Sequence, residues 1–109
     1  MTVSAINTFR LRPGVTPEEF EQFSAELDRP TCLGFDVVLG FEVYLTDNVD
    51  GAEGFHVLEV MTVQSWPEWE KVRDGAPELE PVVQRFDQLV EPGSVSTVFA
   101  RYSPLPQEN

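Results

Sequence analysis

The only histidine of the chain is the side chain best suited to move a proton. His56 lies in the stretch "GFHVLEVMTV", and Glu59 follows it three positions later. Alternation along a strand puts His56 on one face with Leu58 and Val60, and Glu59 on the other. An imidazole titrates near neutral pH, so His56 is a candidate general acid or base if it faces a cavity. The structural alternative is a strand histidine that bonds to a backbone carbonyl or is partly exposed at a strand end.

Polar residues on two other predicted strands could share such a cavity. Asn7 shares one face of its predicted strand with Phe9, and Thr97 and Arg101 share a face of theirs with Phe99. An unpaired buried polar group costs roughly 1–3 kcal/mol, and a ligand or water in a cavity would relieve that cost. Asn7 is therefore a candidate for orienting a substrate oxygen, although neighbours in the sheet could equally satisfy its amide.

Glu59 and Cys32 have structural interpretations. Because alternation puts Glu59 opposite to His56, the two do not form a local acid–base pair, and we expect Glu59 to contact Arg10 or Thr8 on the far face of the sheet. Cys32 has no second histidine to activate it, so we expect a buried apolar side chain.

The composition indicates one acidic, globular domain. The 109 residues are 41% hydrophobic and carry seven Lys and Arg against nineteen Asp and Glu, a formal net charge of −12. This charge repels phosphates and anionic lipids, so we exclude a nucleic-acid binder and expect no membrane partner. The sequence shows neither a membrane-spanning stretch of roughly 20 apolar residues nor a signal-peptide pattern. The single cysteine predicts a cytoplasmic protein, and one histidine without a cysteine pair predicts no metal site.

The first helix has a clear start and a predicted end. Thr16 is suited to the N-cap, and Glu19 three positions later completes a capping box. Pro30 disfavours helical geometry in the residue before it, so the helix should end near Asp28. Its apolar face carries Phe20, Phe23 and Leu27.

The remaining pattern predicts a ferredoxin-like α+β fold. Helix signals recur after Ser65 and again from about Glu78 to Val90, and the order of elements is β-α-β-β-α-β. We expect a single domain over residues 1–103 and a flexible tail over 104–109. The predicted strands are Val3–Arg12, Phe35–Thr46, Phe55–Val63 and Val95–Tyr102.

In this topology both helices cover one face of the sheet, yet the other face is also apolar. A sheet that is apolar on both faces needs a second cover, and another copy of the chain would provide it. We therefore expect a homodimer in the form of a dimeric α+β barrel. The residues assigned to the uncovered face are Ile6, Val38, Tyr44, Val57, Met61, Val98 and Tyr102.

Three segments carry a family resemblance: "TFRLRPGVTPEEF", "EGFHVLEVMTVQS" and "ARYSP". They resemble the dimeric α+β barrel superfamily, which includes stress-responsive A/B barrel proteins, related polyketide cyclases and cofactor-free antibiotic-biosynthesis monooxygenases. Within it, "LDRPTC" followed by a strand and "FHVLEV" is most similar to RedY-like proteins of prodiginine and bisindole biosynthesis. His56 matches the pocket histidine of the cyclases, but "KVRDGAPELEP" lacks their tyrosine and second histidine.

The resemblance implies a cofactor-independent enzyme that acts on an aromatic or heteroaromatic intermediate of natural-product biosynthesis. Cyclisation by general acid/base catalysis is the leading hypothesis, with His56 exchanging the proton and Asn7 orienting the substrate. A cofactor-free monooxygenase and a non-catalytic ligand-binding barrel remain the alternatives. The residues expected to contact the substrate are Phe9, Phe23, Leu27, Leu58, Trp69, Thr97, Phe99 and Arg101.

Overall fold

A four-stranded antiparallel sheet covered on one face by helices forms the protein. The computed structural model describes residues 2–47, 54–101 and 103. The strand order is β2-β3-β1-β4, which confirms the predicted ferredoxin-like fold. The predicted tail over 104–109 lies outside the described residues, as does Tyr102. The elements are β1 Val3–Phe9, α1 Pro17–Phe23, a π-helical turn Ser24–Asp28, α2 Arg29–Leu33, β2 Val38–Leu45, β3 Val57–Val63, α3 Trp66–Gly75, a 3-10 turn Pro77–Leu79, α4 Glu80–Leu89 and β4 Ser96–Ala100.

The first helix begins as predicted but does not end at Asp28. The Thr16 hydroxyl accepts the backbone N–H of Glu19 at 3.2 Å and the Glu19 side chain reaches back to the Thr16 backbone, so the capping box is confirmed. At Pro30 the chain has no N–H to donate, and a proline ring clashes with the carbonyl four residues earlier in an α-helix. The π-helical turn removes this conflict, because Arg29 donates its N–H to the carbonyl of Ser24, five residues back. The helix therefore continues as α2.

The register of the sheet corrects the predicted faces of β3. Paired residues of neighbouring strands share a face, and β1 pairs Asn7 with Glu59 and Phe9 with Val57. Glu59 therefore lies on the helix-covered face, and Leu58 on the opposite one. The prediction that Leu58 and Val60 share the face of Asn7 is wrong, since a shift of one residue in register exchanges the two faces of a strand.

The helix-covered face holds a core of aromatic and branched side chains. Phe9 is fully buried, and its ring makes edge contacts with Phe20 at a centroid distance of 5.4 Å and with Phe86 at 5.1 Å. Three residues assigned from the sequence to the uncovered face belong to this core instead, namely Val38, Val57 and Met61.

The uncovered face of the sheet remains apolar. Val98 and Tyr44 are 59% and 52% exposed. Ile6, Leu58 and Val60 are half-buried on the same face. In the part of the chain that the structure describes, no helix is long and apolar enough to cross a membrane.

Candidate functional site

A cavity of about 320 Å³ lies between the sheet and the helices. The sheet contributes polar residues to its floor, the π-helical turn and α2 contribute one side, and α3 and α4 complete the wall. Aromatic rings dominate the lining, but two carboxyl groups and one thiol also face it. The residues that define it are Ala5, Asn7, Asp28, Cys32, Phe41, Glu59, Met61, Trp66, Trp69, Arg73, Leu79, Val82, Val83, Phe86, Thr97 and Phe99.

Glu59 is the most unusual group in this cavity. It is only 5% exposed, and its Oε2 atom is buried with no hydrogen-bond partner among the described residues. Burial, followed by the nearby carboxyl of Asp28, raises the pKa of Glu59 to about 8, against a lowering effect of Arg29. The two protonation states of Glu59 therefore lie close in free energy near neutral pH, as proton transfer requires.

Asp28 brings a second carboxyl group into the same cavity. The π-helical turn directs it inward, and it is 6% exposed. The Cys32 thiol lies 3.5 Å from its Oδ1 and donates to it. Burial raises the pKa of Asp28 to about 6, while the bond from Cys32 and the charge of Arg29 act in the opposite direction. Burial thus raises the pKa of both carboxyl groups of the cavity, and that of Glu59 more strongly.

Two polar residues of the sheet continue the row that begins at Glu59. Asn7 pairs with Glu59 on one side and with Thr97 on the other. The Thr97 hydroxyl donates to the Asn7 amide oxygen at 2.6 Å. This bond fixes the amide so that its nitrogen is the donor side, a suitable orientation for a substrate oxygen.

Aromatic rings and one guanidinium border the cavity. Trp66 and Phe99 pack edge to face at a centroid distance of 4.7 Å. The Arg73 guanidinium lies 5.8 Å from the centre of the Trp66 ring. Trp69 is 5% exposed and contacts Phe35 at 6.4 Å on its other side. The geometry suits a flat, apolar ligand of modest size.

His56 occupies a different place from the one expected. The Nδ1 atom of its ring accepts the backbone N–H of Leu11 at 2.8 Å. The backbone N–H of His56 donates to the carbonyl of Phe9 at 2.9 Å, and the backbone carbonyl of His56 accepts the N–H of Thr46 at 3.0 Å. His56 therefore joins the ends of three strands, and it is not among the described residues that line the cavity. The expectation that its ring projects between sheet and helices is wrong.

The structure brings together only some of the predicted contact residues. Asn7, Trp69, Thr97 and Phe99 line the cavity, whereas Phe9 is in the core beside it. The remaining predicted contacts lie elsewhere. Phe23 and Leu27 border a separate depression of about 410 Å³, Leu58 is on the opposite face of the sheet, and Arg101 is exposed just after β4.

Sequence reasoning missed Glu59 and Asp28 as cavity residues. For Glu59 the sequence contained a signal: a single carboxylate lies between Val57 and Met61 on one face of a largely apolar strand. A charged residue inside such a strand indicates a functional role when the register buries it. Asp28 gave no comparable signal, since only the π-helical turn directs it into the cavity.

Comparisons with known proteins agree with this fold. Residues 3–101 match the family model described as REDY-like protein HapK. The chain is similar to the crystal structure of HapK from Hahella chejuensis, with a TM-score of 0.79, 19% identity and 98% of each chain covered. It is also similar to a dimeric protein of unknown function with a ferredoxin-like fold from Bacteroides fragilis (TM-score 0.66, 19% identity, 93% of this chain and 96% of that one).

A DABB family protein with a ferredoxin-like fold from Mesorhizobium loti gives a TM-score of 0.65 at 16% identity, over 96% of this chain and 98% of that one. No curated protein gives a significant match. Because the family model covers nearly the whole chain and agrees with the fold, the protein belongs to the REDY-like HapK family.

Proposed function

We propose that the protein is a cofactor-independent enzyme that catalyses a proton-coupled cyclisation of an aromatic or heteroaromatic intermediate in natural-product biosynthesis. The observation that carries this proposal is Glu59, whose buried Oε2 atom has no hydrogen-bond partner in the described structure and whose side chain faces an aromatic cavity. Unpaired buried carboxyl groups are costly to a fold, so their presence in a cavity favours a role toward a ligand. The resemblance of the sequence to RedY-like proteins of prodiginine and bisindole biosynthesis is the reason for choosing a natural-product intermediate as the substrate.

In this mechanism Glu59, rather than His56, exchanges the proton. A group whose pKa lies near the working pH serves as acid in one protonation state and as base in the other, and the pKa of Glu59 is raised to about 8. Asn7 orients a substrate oxygen with its amide nitrogen, since Thr97 already occupies the amide oxygen.

The cavity itself contributes by positioning. Trp66, Trp69 and Phe99 form walls that hold flat rings in contact with the sheet. Oriented intramolecular reactions reach effective molarities on the order of 10⁵–10⁸ M, so confinement of a flexible precursor supplies much of the rate of ring closure.

We propose that the active form is a homodimer assembled through the uncovered face of the sheet. Val98, Tyr44 and Ile6 belong to that face, and an exposed apolar sheet face favours association. The dimeric state of the Bacteroides fragilis protein with a ferredoxin-like fold supports a dimer. The single cysteine supports a cytoplasmic location.

The test of function uses the enzymes encoded beside the gene. We expect a host that expresses those enzymes without this protein to accumulate an uncyclised aromatic intermediate. Purified protein should convert the isolated intermediate to product without added cofactor, and equally well without oxygen. Glu59→Gln should lower the rate by at least about 100-fold, the usual contribution of a general acid or base. Glu21→Gln, an exposed carboxyl on α1, is the matched control.

Three outcomes would contradict the proposal. A Glu59→Gln rate within twofold of the parent removes Glu59 from the chemistry. Turnover that requires oxygen identifies a cofactor-free monooxygenase instead, and binding of the intermediate without conversion identifies a ligand-binding barrel.

A further inference from the structure

We infer that the cavity selects ligands in which a positively charged nitrogen is attached to or lies near an aromatic ring, with Asp28 and Glu59 as the opposing carboxyl groups. This inference rests on the proposed function, since it names the substrate class of the same cavity. It is argued from the charges and rings around Glu59.

The carboxyl groups of the cavity have no ion-pair partner among the described residues, and Arg29 acts on them through its charge alone. Both Asp28 and Glu59 are more than nine-tenths buried. Arg29 donates its Nε to the Ser24 hydroxyl at 3.0 Å. Arg73, at the border of the cavity, lies 3.0 Å from Asp74 and 3.8 Å from Glu70. Each nearby arginine is thus bonded elsewhere, which leaves the two carboxyl groups for a ligand.

The walls of the cavity also favour a cation. The faces of aromatic rings attract positive charge, most strongly when water is excluded. Trp66, Trp69 and Phe99 surround the space beside Glu59, and the Arg73 guanidinium near Trp66 shows that a cation and an indole ring already pair at its border. Carboxyl groups lined by aromatic rings are complementary to an aromatic ammonium or iminium group.

Other classes of ligand fit this cavity less well. An anion would meet the charge of Asp28 in a site of low dielectric constant. A ligand with no polar group would leave Oε2 of Glu59 unpartnered. The described residues contain no group of three or more His, Cys, Asp or Glu placed to hold a metal ion, so an organic cation is the favoured class.

Binding of such a cation should displace the proton of Glu59. In the ligand-free cavity burial and Asp28 keep that proton in place, and Arg29 acts against them. The other ionisable groups that face the space are the Cys32 thiol on α2 and Arg73 on α3. A bound cation supplies the positive charge that the proton had provided, so Glu59 ionises and becomes the base form. Proton release and tighter binding at higher pH follow.

The test compares three probes of similar shape: 2-phenylethylammonium, neutral 2-phenylethanol and anionic 3-phenylpropionate. Both tryptophans of the chain line the cavity, so intrinsic fluorescence reports binding directly. We expect the ammonium to bind at least about tenfold more tightly than the alcohol, and the carboxylate to bind most weakly. Calorimetry near pH 7 in buffers of different ionisation enthalpy should detect proton release with the ammonium alone.

Variants separate this inference from the proposed function. Glu59→Gln and Asp28→Asn should each remove the preference for the ammonium, while Glu21→Gln should keep it. If the ammonium binds no more tightly than the alcohol, or if neither binds, the inference is wrong, whether or not the variants fold. If Glu59→Gln abolishes turnover of the intermediate while the probes bind alike, the proposed function stands and the charge selectivity fails.

Discussion

Burial of Glu59 predicts a specific loss of stability as the pH rises from mildly acidic values to about 8. The pKa of Glu59 is raised from 4.5 to about 8 in the folded protein. Between these values the folded state binds more protons than the unfolded state, so the free energy of unfolding falls as the pH rises from 4.5 to about 8 and levels off above that pH. For one group with this shift, the loss between pH 6 and pH 9 is roughly 2–3 kcal/mol. Glu59→Gln carries no titrating group and should lack that loss.

Urea unfolding at pH 6 and pH 9, followed by tryptophan fluorescence, measures the effect. The quantity to compare is the change in the free energy of unfolding between the two pH values, since the buried amide of Glu59→Gln adds a cost that is the same at both. Ionisation of the Cys32 thiol contributes equally to both proteins. Glu21→Gln removes an exposed carboxyl and should retain the pH dependence of the parent.

The reasoning is refuted if Glu59→Gln and the parent lose the same stability between pH 6 and pH 9. That result would mean that Glu59 is ionised in the folded protein at neutral pH. A smaller loss in both variants, Glu59→Gln and Glu21→Gln, would assign the effect to net charge instead of burial.

Three further predictions concern other parts of the molecule. His56→Ala should lower the free energy of unfolding by about 1–3 kcal/mol, because it leaves the buried Leu11 N–H unpaired. His56→Asn offers an amide oxygen to that N–H and should lower the free energy of unfolding less. Equal losses for the two variants in urea unfolding would contradict this. Val98→Glu should yield monomers in analytical ultracentrifugation, while Leu33→Glu, at an exposed apolar residue of α2, should leave the dimer intact. A dimer in both variants, or a monomeric parent, speaks against the uncovered sheet face as the interface. Because burial raises the pKa of the Cys32 thiol, iodoacetamide should label it at pH 8 only as fast as the protein unfolds, and mass spectrometry showing rapid native labelling would disprove this.

The order of elements was readable from the sequence because it depends on local patterns. Thr16 and Glu19 specify the start of the first helix through their own side chains. The choice between the two faces of β3 depends on its pairing with β1, and alternation alone cannot supply that choice. Glu59 was therefore assigned to the wrong face although its strand was correctly placed.

The candidate site depends more strongly on such non-local features. Asn7 and Thr97 were expected to share a space, and the pairing of β1 with β4 brings them together. His56 was chosen as a candidate because an imidazole can exchange a proton. In the structure its ring accepts the backbone N–H of Leu11 at the end of the strands instead. Chemical identity suggested the candidates, whereas the register and the continuation of the helix through Asp28 determined which of them meet.

Because Asp28 belongs to the π-helical turn Ser24–Asp28, the number of carboxyl groups in the cavity depends on the number of residues in this turn. Each residue of an α-helix advances the direction of the side chains by about 100°, and such a turn contains one more residue than an α-helical turn. Deleting a single residue there would rotate everything downstream, including Cys32, relative to α1. A chain shortened by one residue at this point would thus turn Asp28 away and keep one carboxyl group in the cavity instead of two, without any change in the strands.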